Sequence, residues 1–335
     1  MQYPAHIPPV KRVRLANAAE LPRIIAAADG PLVFENLLQG ELIDAGRAGG
    51  LANYLKPFNA ARETVFFRLQ PQAQGRIFYQ DDFSGFNFSR EQADFLGLLD
   101  ALERQLPAVD GCYVGSSSID YFLPGLKSTL GLAVPADEPL ISLWLGGKTR
   151  VAAHFDLPEN LACVVAGRRR FTLFPPDQVA NLYPGPLEFT PAGQPISLVD
   201  FYQPDFHTFP RYREALASAQ VAELSAGDAL YLPGMWWHQV EGLDGFNVLL
   251  NYWWRSTPVW TGLPQDAISH ALLTMGSLPA AERAAWAEVF NYYVVNRETT
   301  AAGMPERARG MLADLTPARA RQLAAHLMQK LQRLL

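Results

Sequence analysis

The chain is poor in the residues that most quickly betray a binding site. Only two of its 335 residues are cysteines, Cys112 and Cys163, which excludes a disulfide framework and a cysteine-rich zinc site. Histidine is scarce as well, with six in all: His6, His154, His207, His238, His270 and His326. Any metal centre must draw on that short set and on carboxylates. No apolar run reaches the roughly 18 residues of a membrane span. The N-terminal MQYPAHIPPVKRVRL carries prolines and basic residues where a signal peptide would be continuously apolar, so the expected compartment is the cytoplasm. Charged residues make up 18% and the formal net charge is −5, a balance without the broad basic surface that holds nucleic acid. Composition gives no sign of disorder, collagen or a coiled coil. At 49% hydrophobic, the chain has enough apolar material for one large domain or two modest ones.

Three textures follow one another. In the first, residues 1–110, strand-like Pro31 to Asn36 and Thr64 to Leu69 are mixed with helical stretches, Ala18 to Ala28 and Phe95 to about Leu106. This reads as an α/β extension, with Ser89 and Gln92 as the cap of the second helix. From 111 to about 260, short apolar runs alternate with Gly, Pro and Asp, as in Leu140 to Leu145, Leu161 to Val165, Arg170 to Phe174, Ala229 to Leu232 and Phe246 to Trp254. That pattern predicts an antiparallel barrel or sandwich. Within it, residues 175–220 are rich in proline and aromatics and read as a surface excursion. The third texture, 261–335, is helical: Asp266 to Met275, Ala280 to Asn296, Pro305 to Leu315 and Pro317 to Leu335. Its last stretch carries Thr316 as cap and a stripe of Leu323, Leu327, Leu331 and Leu334.

The chemistry points to His154-Phe155-Asp156. In an extended chain, positions i and i+2 share a face, so His154 and Asp156 are placed to chelate one ion. His238 follows 84 residues later (238 − 154), after the Pro233-Gly234 turn, and is the candidate third ligand. Two histidines and a carboxylate with open positions opposite are the arrangement of non-haem Fe(II) oxygen chemistry. The other histidines fall in a tail, on helices or, for His207, in the excursion. Trp236, Trp237, Trp253 and Trp254 read mainly as core, and Cys163 as a small buried hydrophobe.

These residues resemble a known family. His154-Phe-Asp-x-x-x-Asn160, Gly167-Arg-Arg-Arg-Phe-x-Leu-Phe-Pro-Pro-Asp-Gln178 and Gly227-Asp-x-Leu-Tyr-Leu-Pro-x-x-Trp-Trp-His238, followed by Asn251-Tyr-Trp, are similar to the cupin-like branch of the JmjC oxygenases, most of all the factor-inhibiting-HIF type of protein hydroxylase. The likeness is dense from about 140 to 258 and looser from 30 to 140. It implies a mainly β fold, a double-stranded β-helix of the jelly-roll or cupin-like type, and an Fe(II)- and 2-oxoglutarate-dependent hydroxylase forming succinate and CO₂. It implies iron ligands at His154, Asp156 and His238. The cosubstrate carboxylate would meet Arg169, ten positions after Glu159, where the resembling type has Lys, and also Tyr113. Asn160 and Asn251 would line the metal and cosubstrate pocket. Strand alternation independently puts Arg169 opposite Arg168 and Arg170.

Two departures stand out. Val151 occupies the place of a threonine that hydrogen-bonds the cosubstrate, and Pro195-Ile196 replaces the Arg-Gln that holds a target asparagine. The polar clamp for asparagine has thus become apolar, which counts against asparagine hydroxylation; the expected substrate is a protein or peptide side chain or a small molecule, with neither nucleic acid nor membrane as partner. The helical segment 261–335 resembles a dimerisation tail, and its apolar stripes predict a homodimer. The alternative reading is a cupin-like metal-binding sensor or scaffold without oxygenase activity.

Overall fold

Alternation between apolar and polar residues becomes strands throughout the middle of the chain. In a computed structural model, which describes residues 6–296, 300 and 303–334, the strands are β1 (Arg12–Val13), β2 (Leu32–Phe34), β3 (Glu63–Leu69), β4 (Arg76–Ile77), β5 (Phe88–Asp94), β6 (Cys112–Ser118), β7 (Leu140–Gly146), β8 (Arg150–His154), β9 (Glu159–Ala166), β10 (Arg168–Phe174), β11 (Gln220–Ser225), β12 (Ala229–Leu232), β13 (Trp237–Gly242) and β14 (Asn247–Trp254). They form a nine-stranded sheet, β1-β2-β12-β9-β14-β7-β6-β3-β5, and a five-stranded sheet, β11-β10-β13-β8-β4. The first five residues of the proline-bearing N-terminal stretch, and Leu335 at the end of the expected last helix, lie outside the described residues.

The two sheets meet in a jelly roll. Ala162 and Val164 of β9, Phe171 and Leu173 of β10, Leu224 of β11, Leu230 and Leu232 of β12 and Leu249 of β14 make one buried cluster between them. The neighbouring residues Leu161, Cys163 and Val165 point the other way, into a larger cluster with Leu42, Leu51, Leu98 and Leu99 from the N-terminal helices. Because β9 is buried on both faces, its sequence is a continuous apolar run rather than an alternating one. Gly46, on the helix Glu41–Ala48, permits the close approach: a Cβ there would lie 2.1 Å from the Val165 carbonyl oxygen.

Three details differ from the sequence reading. Ser89 and Gln92 lie inside β5, paired with β3, and the helix Phe95–Glu103 is capped instead by Asp94, whose carboxylate accepts from the Gly97 N–H at 2.7 Å. Strand pairing claimed the upstream pair, and the acidic residue directly before the apolar run took the cap. Strands β8 and β13 were not read as strands, because Arg150, Gln239 and Glu241 give them a mixed texture. Pro305 to Leu315 forms two 3₁₀ turns, Glu306–Ala308 and Gly310–Leu312, with Gly310 at a φ of 52° interrupting a helix.

The excursion 175–220 packs through Leu182, Val199, Phe201, Tyr212 and Ala215 onto Ala153, Phe174 and Trp237, on the outer face of the smaller sheet. Residues to Arg255 make one compact unit and Ser256–Leu335 a second. The second contains the helices Pro264–Met275, Ala280–Phe290 and Pro317–Leu331. Among the described residues, no helix is long and apolar enough to cross a membrane.

Candidate metal centre

His154 is the last residue of β8 and His238 the second of β13. These strands run antiparallel with the two histidines directly opposite, and the imidazole centroids are 4.3 Å apart. Both rings are fixed by the same local device. Nδ1 of His154 lies 2.9 Å from the Ala152 carbonyl oxygen, and Nδ1 of His238 lies 2.9 Å from that of Trp236. Assigning the ring proton to Nδ1, where it donates to the carbonyl, leaves Nε2 with its lone pair facing the cavity.

Asp156 lies beyond the end of β8 rather than on it, so simple strand alternation is not what positions it. Its backbone carbonyl accepts from the Met235 N–H at 2.8 Å, tying it to the turn before His238. That turn is tight: Met235 has a φ of 68°, and a Cβ on Gly234 would come within 2.6 Å of the Leu157 carbonyl oxygen. Asp156 Oδ2 is 3.5 Å from His238 Nε2. A proton or a cation between the two atoms makes so close an approach favourable, and the second case is that of a metal-ligand set. Ligand atoms of His154, Asp156 and His238 all fall within 4.8 Å of one another, and no other such trio occurs among the described residues.

Burial and the neighbouring His238 push the His154 imidazole down to about 4, which keeps it neutral at physiological pH. Burial alone would raise the Asp156 carboxyl, but the His238 and His154 imidazoles outweigh it and hold it below the usual carboxylate range. A neutral imidazole at His154 and an ionised carboxylate at Asp156 are states a divalent cation needs.

The trio opens into a small cavity of ≈ 40 Å³ that also exposes Tyr113, Asn160, Arg169 and Asn251. Arg169 is 4% exposed. Its Nη2 donates to the Trp144 carbonyl at 3.2 Å, while Nε is enclosed with no hydrogen-bond partner among the described residues. Burial pushes its pKa down to about 10, so it stays charged at neutral pH, and burial pushes the Tyr113 phenol up to about 12. Its neighbours Arg168 and Arg170 turn outward to Asp244 and Glu223. A buried guanidinium without a carboxylate is costly, and the cavity in front of it is where a ligand's anion would fit.

The sheet architecture agrees with comparison to known proteins, in which residues 18–259 match a family described as Cupin-like domain. The chain belongs to the cupin-like domain family. This cupin-like chain is 34% identical over 133 residues to the lysine-specific demethylase JMJ31 of Arabidopsis thaliana, covering 39% of its own length and 24% of that protein. It is 35% identical over 134 residues to human HSPB1-associated protein 1, covering 39% and 27%. A longer match, 27% identical over 268 residues, is to tRNA wybutosine-synthesizing protein 4 of Neurospora crassa, covering 74% of this chain and 20% of that one. The chain thus spans well under a third of the length of these relatives.

The structure gathers all seven residues singled out from the sequence around one cavity of the cupin-like domain. It also adds residues that sequence reasoning passed over. Trp144 Nε1 donates to Asn251 Oδ1 at 2.7 Å, and Asn251 in turn reaches Asn160 at 3.5 Å. Trp253, expected as core, instead lines the cavity, with Nε1 buried and without a hydrogen-bond partner among the described residues, while Trp237 and Trp254 are core. A signal for Trp253 was present: it lies two positions from Asn251 on the same face of β14. Val151 also faces the cavity, and Pro195 and Ile196 are buried, the latter against Tyr79 and Ala152. His207 is exposed, apart from the trio.

Proposed function

We propose that this protein is an Fe(II)- and 2-oxoglutarate-dependent hydroxylase. The carrying observation is the pairing, in one cavity, of a three-ligand set and a buried arginine that lacks an acidic partner. In this reading His154, Asp156 and His238 hold the iron from one side. Arg169 pairs with the distal carboxylate of 2-oxoglutarate through its planar fork, and Tyr113 donates its O–H to the same carboxylate. Asn160 and Asn251, braced by Trp144, orient the metal side of the cavity. Phe171, Val240 and Leu249 keep water out. Bound iron and cosubstrate would supply the oxidising chemistry, with succinate and CO₂ as by-products.

The target is a C–H bond of a protein or peptide side chain, or of a small molecule. Relatives named as a lysine demethylase and as a tRNA-modifying protein mark the range of the family, and the net charge of −5 favours a target that is not nucleic acid. The helical segment 261–335 carries exposed Leu272, Leu273, Val294 and Val295, and a second copy of the chain is the proposed cover, giving a homodimer. Free, buried Cys112 and Cys163 fit a cytoplasmic setting.

Anaerobic titration with Fe(II) and 2-oxoglutarate is expected to give the visible charge-transfer band of the chelate, and aerobic turnover to form succinate. His154→Ala should abolish both. No band and no succinate would overturn the oxygenase reading in favour of a sensor or scaffold, to which Val151 gives some support. Sedimentation should show a dimer that Leu272→Glu dissociates.

A further inference from the structure

A second cleft lies on the opposite face of β8 from the metal cavity. Strand β4 pairs in parallel with β8, and the register sets Arg76 beside Arg150 and Ile77 beside Val151. Ile77 packs with Val151 and Tyr113 on the cavity side, so the two arginines face away from it, into a cleft of ≈ 470 Å³. We propose that this cleft is an oxyanion site, taking a phosphate or carboxylate group between Arg76 and Arg150.

Asp200, from the excursion, is the carboxylate the two arginines share, 3.3 Å from Arg76 Nη1 and 4.0 Å from Arg150 Nη1. Its Oδ1 also accepts the Tyr202 N–H at 2.9 Å. Glu241, opposite Arg150 on β13, accepts from the Tyr202 hydroxyl at 2.5 Å and lies 4.0 Å from Arg170, which pairs more closely with Glu223; its remaining charge falls to Arg150 rather than to Arg76. Arg76 is therefore left with part of one carboxylate. Its Nη2 is enclosed and has no hydrogen-bond partner among the described residues. The ring of Phe78 lies 3.5 Å beneath the guanidinium and fixes its plane. Neutral amides, Gln70, Gln72 and Gln203, complete the walls, and they donate hydrogen bonds without opposing an anion. Asp81 is on the exposed rim, where water and salt screen it. A planar guanidinium, held rigid and under-neutralised in a polar cleft, suits an oxyanion in bidentate geometry.

Calorimetric titration of the full chain with inorganic phosphate, and of its Arg169→Met variant with acetate so that the other cavity takes up no carboxylate, tests this without iron or turnover, and its outcome is independent of the oxygenase reading. Saturable uptake of one anion per chain is expected; uptake of phosphate alone marks a phosphate site and uptake of acetate alone a carboxylate site. Arg76→Gln should weaken uptake about tenfold or more. Asp200→Asn keeps the acceptor for Tyr202 but removes the competing charge, and should tighten uptake severalfold. Should Arg76→Gln fail to fold, Arg76→Lys, which keeps the charge but not the fork, should bind measurably more weakly than the parent. Arg169→Met, in the other cavity, should leave phosphate uptake unchanged. No uptake of either anion, uptake indifferent to Arg76 and Asp200, or uptake lost with Arg169→Met would overturn the proposal.

Discussion

Phe155 and Trp237 pack edge to face with ring centroids 5.0 Å apart, and each is the sequence neighbour of one of the facing histidines. The ligand-bearing strands are thus locked from behind by an aromatic pair in the cluster under the excursion. Trp237→Ala is expected to cost about 3–5 kcal/mol of stability and to weaken divalent-metal binding, because both histidines lose their backing. Trp237→Phe should keep most of both. Urea denaturation and anaerobic Mn(II) titration would check this, and metal affinity unchanged in the alanine variant would contradict it.

Gly234 governs the turn that joins Asp156 to His238. A methyl group there would meet the Leu157 carbonyl at 2.6 Å, so the backbone must shift. Gly234→Ala is expected to destabilise by about 1–3 kcal/mol and to lower metal affinity more than Gly50→Ala, where a Cβ would meet nothing within 4 Å. Equal effects at both positions would count against the turn's role in holding the ligands.

Arg169→Met removes a buried charge that has no acidic partner. Its expected signature is split: the KM for 2-oxoglutarate rises about 30-fold or more, as for the loss of a charge-assisted pair, while thermal stability holds or increases. Steady-state kinetics and thermal denaturation read the two halves. A large stability loss with KM unchanged would make Arg169 a structural residue.

Glu241 links stability to pH. Burial raises its carboxyl, outweighing the Tyr202 hydrogen bond and the nearby Arg170 and Arg150 that pull it down. The folded state therefore holds this proton more tightly than the unfolded chain does. Its contribution is fully present below the ordinary carboxylate range and is lost as pH rises through the folded value. Glu241→Gln lacks that proton, so its Tm relative to the parent should become more favourable as pH rises above the ordinary carboxylate range. A difference that stays flat with pH would refute the assignment.

Much of this was legible beforehand. Alternation along Arg168-Arg169-Arg170 predicted the one inward arginine, and apolar runs located β7, β9, β10, β12 and β14. Legibility failed where a strand carries outward polar groups that the excursion then covers, as in β8 and β13. It failed again where two caps competed, Ser89 against Asp94.

By itself the sequence determined the fold class, through strand periodicity and turn residues, and narrowed the candidate metal donors to two histidines and one aspartate. Only the tertiary structure decided that residues 84 positions apart (238 − 154) stand face to face, because cross-strand register is set by packing between sheets rather than by local preference. It alone also decided that Arg169 is enclosed without a carboxylate among the described residues, while Arg76 and Arg150 share Asp200 on the far side of the same sheet. Charge pairing depends on what the fold brings within a few ångströms, and neither composition nor spacing carries that information.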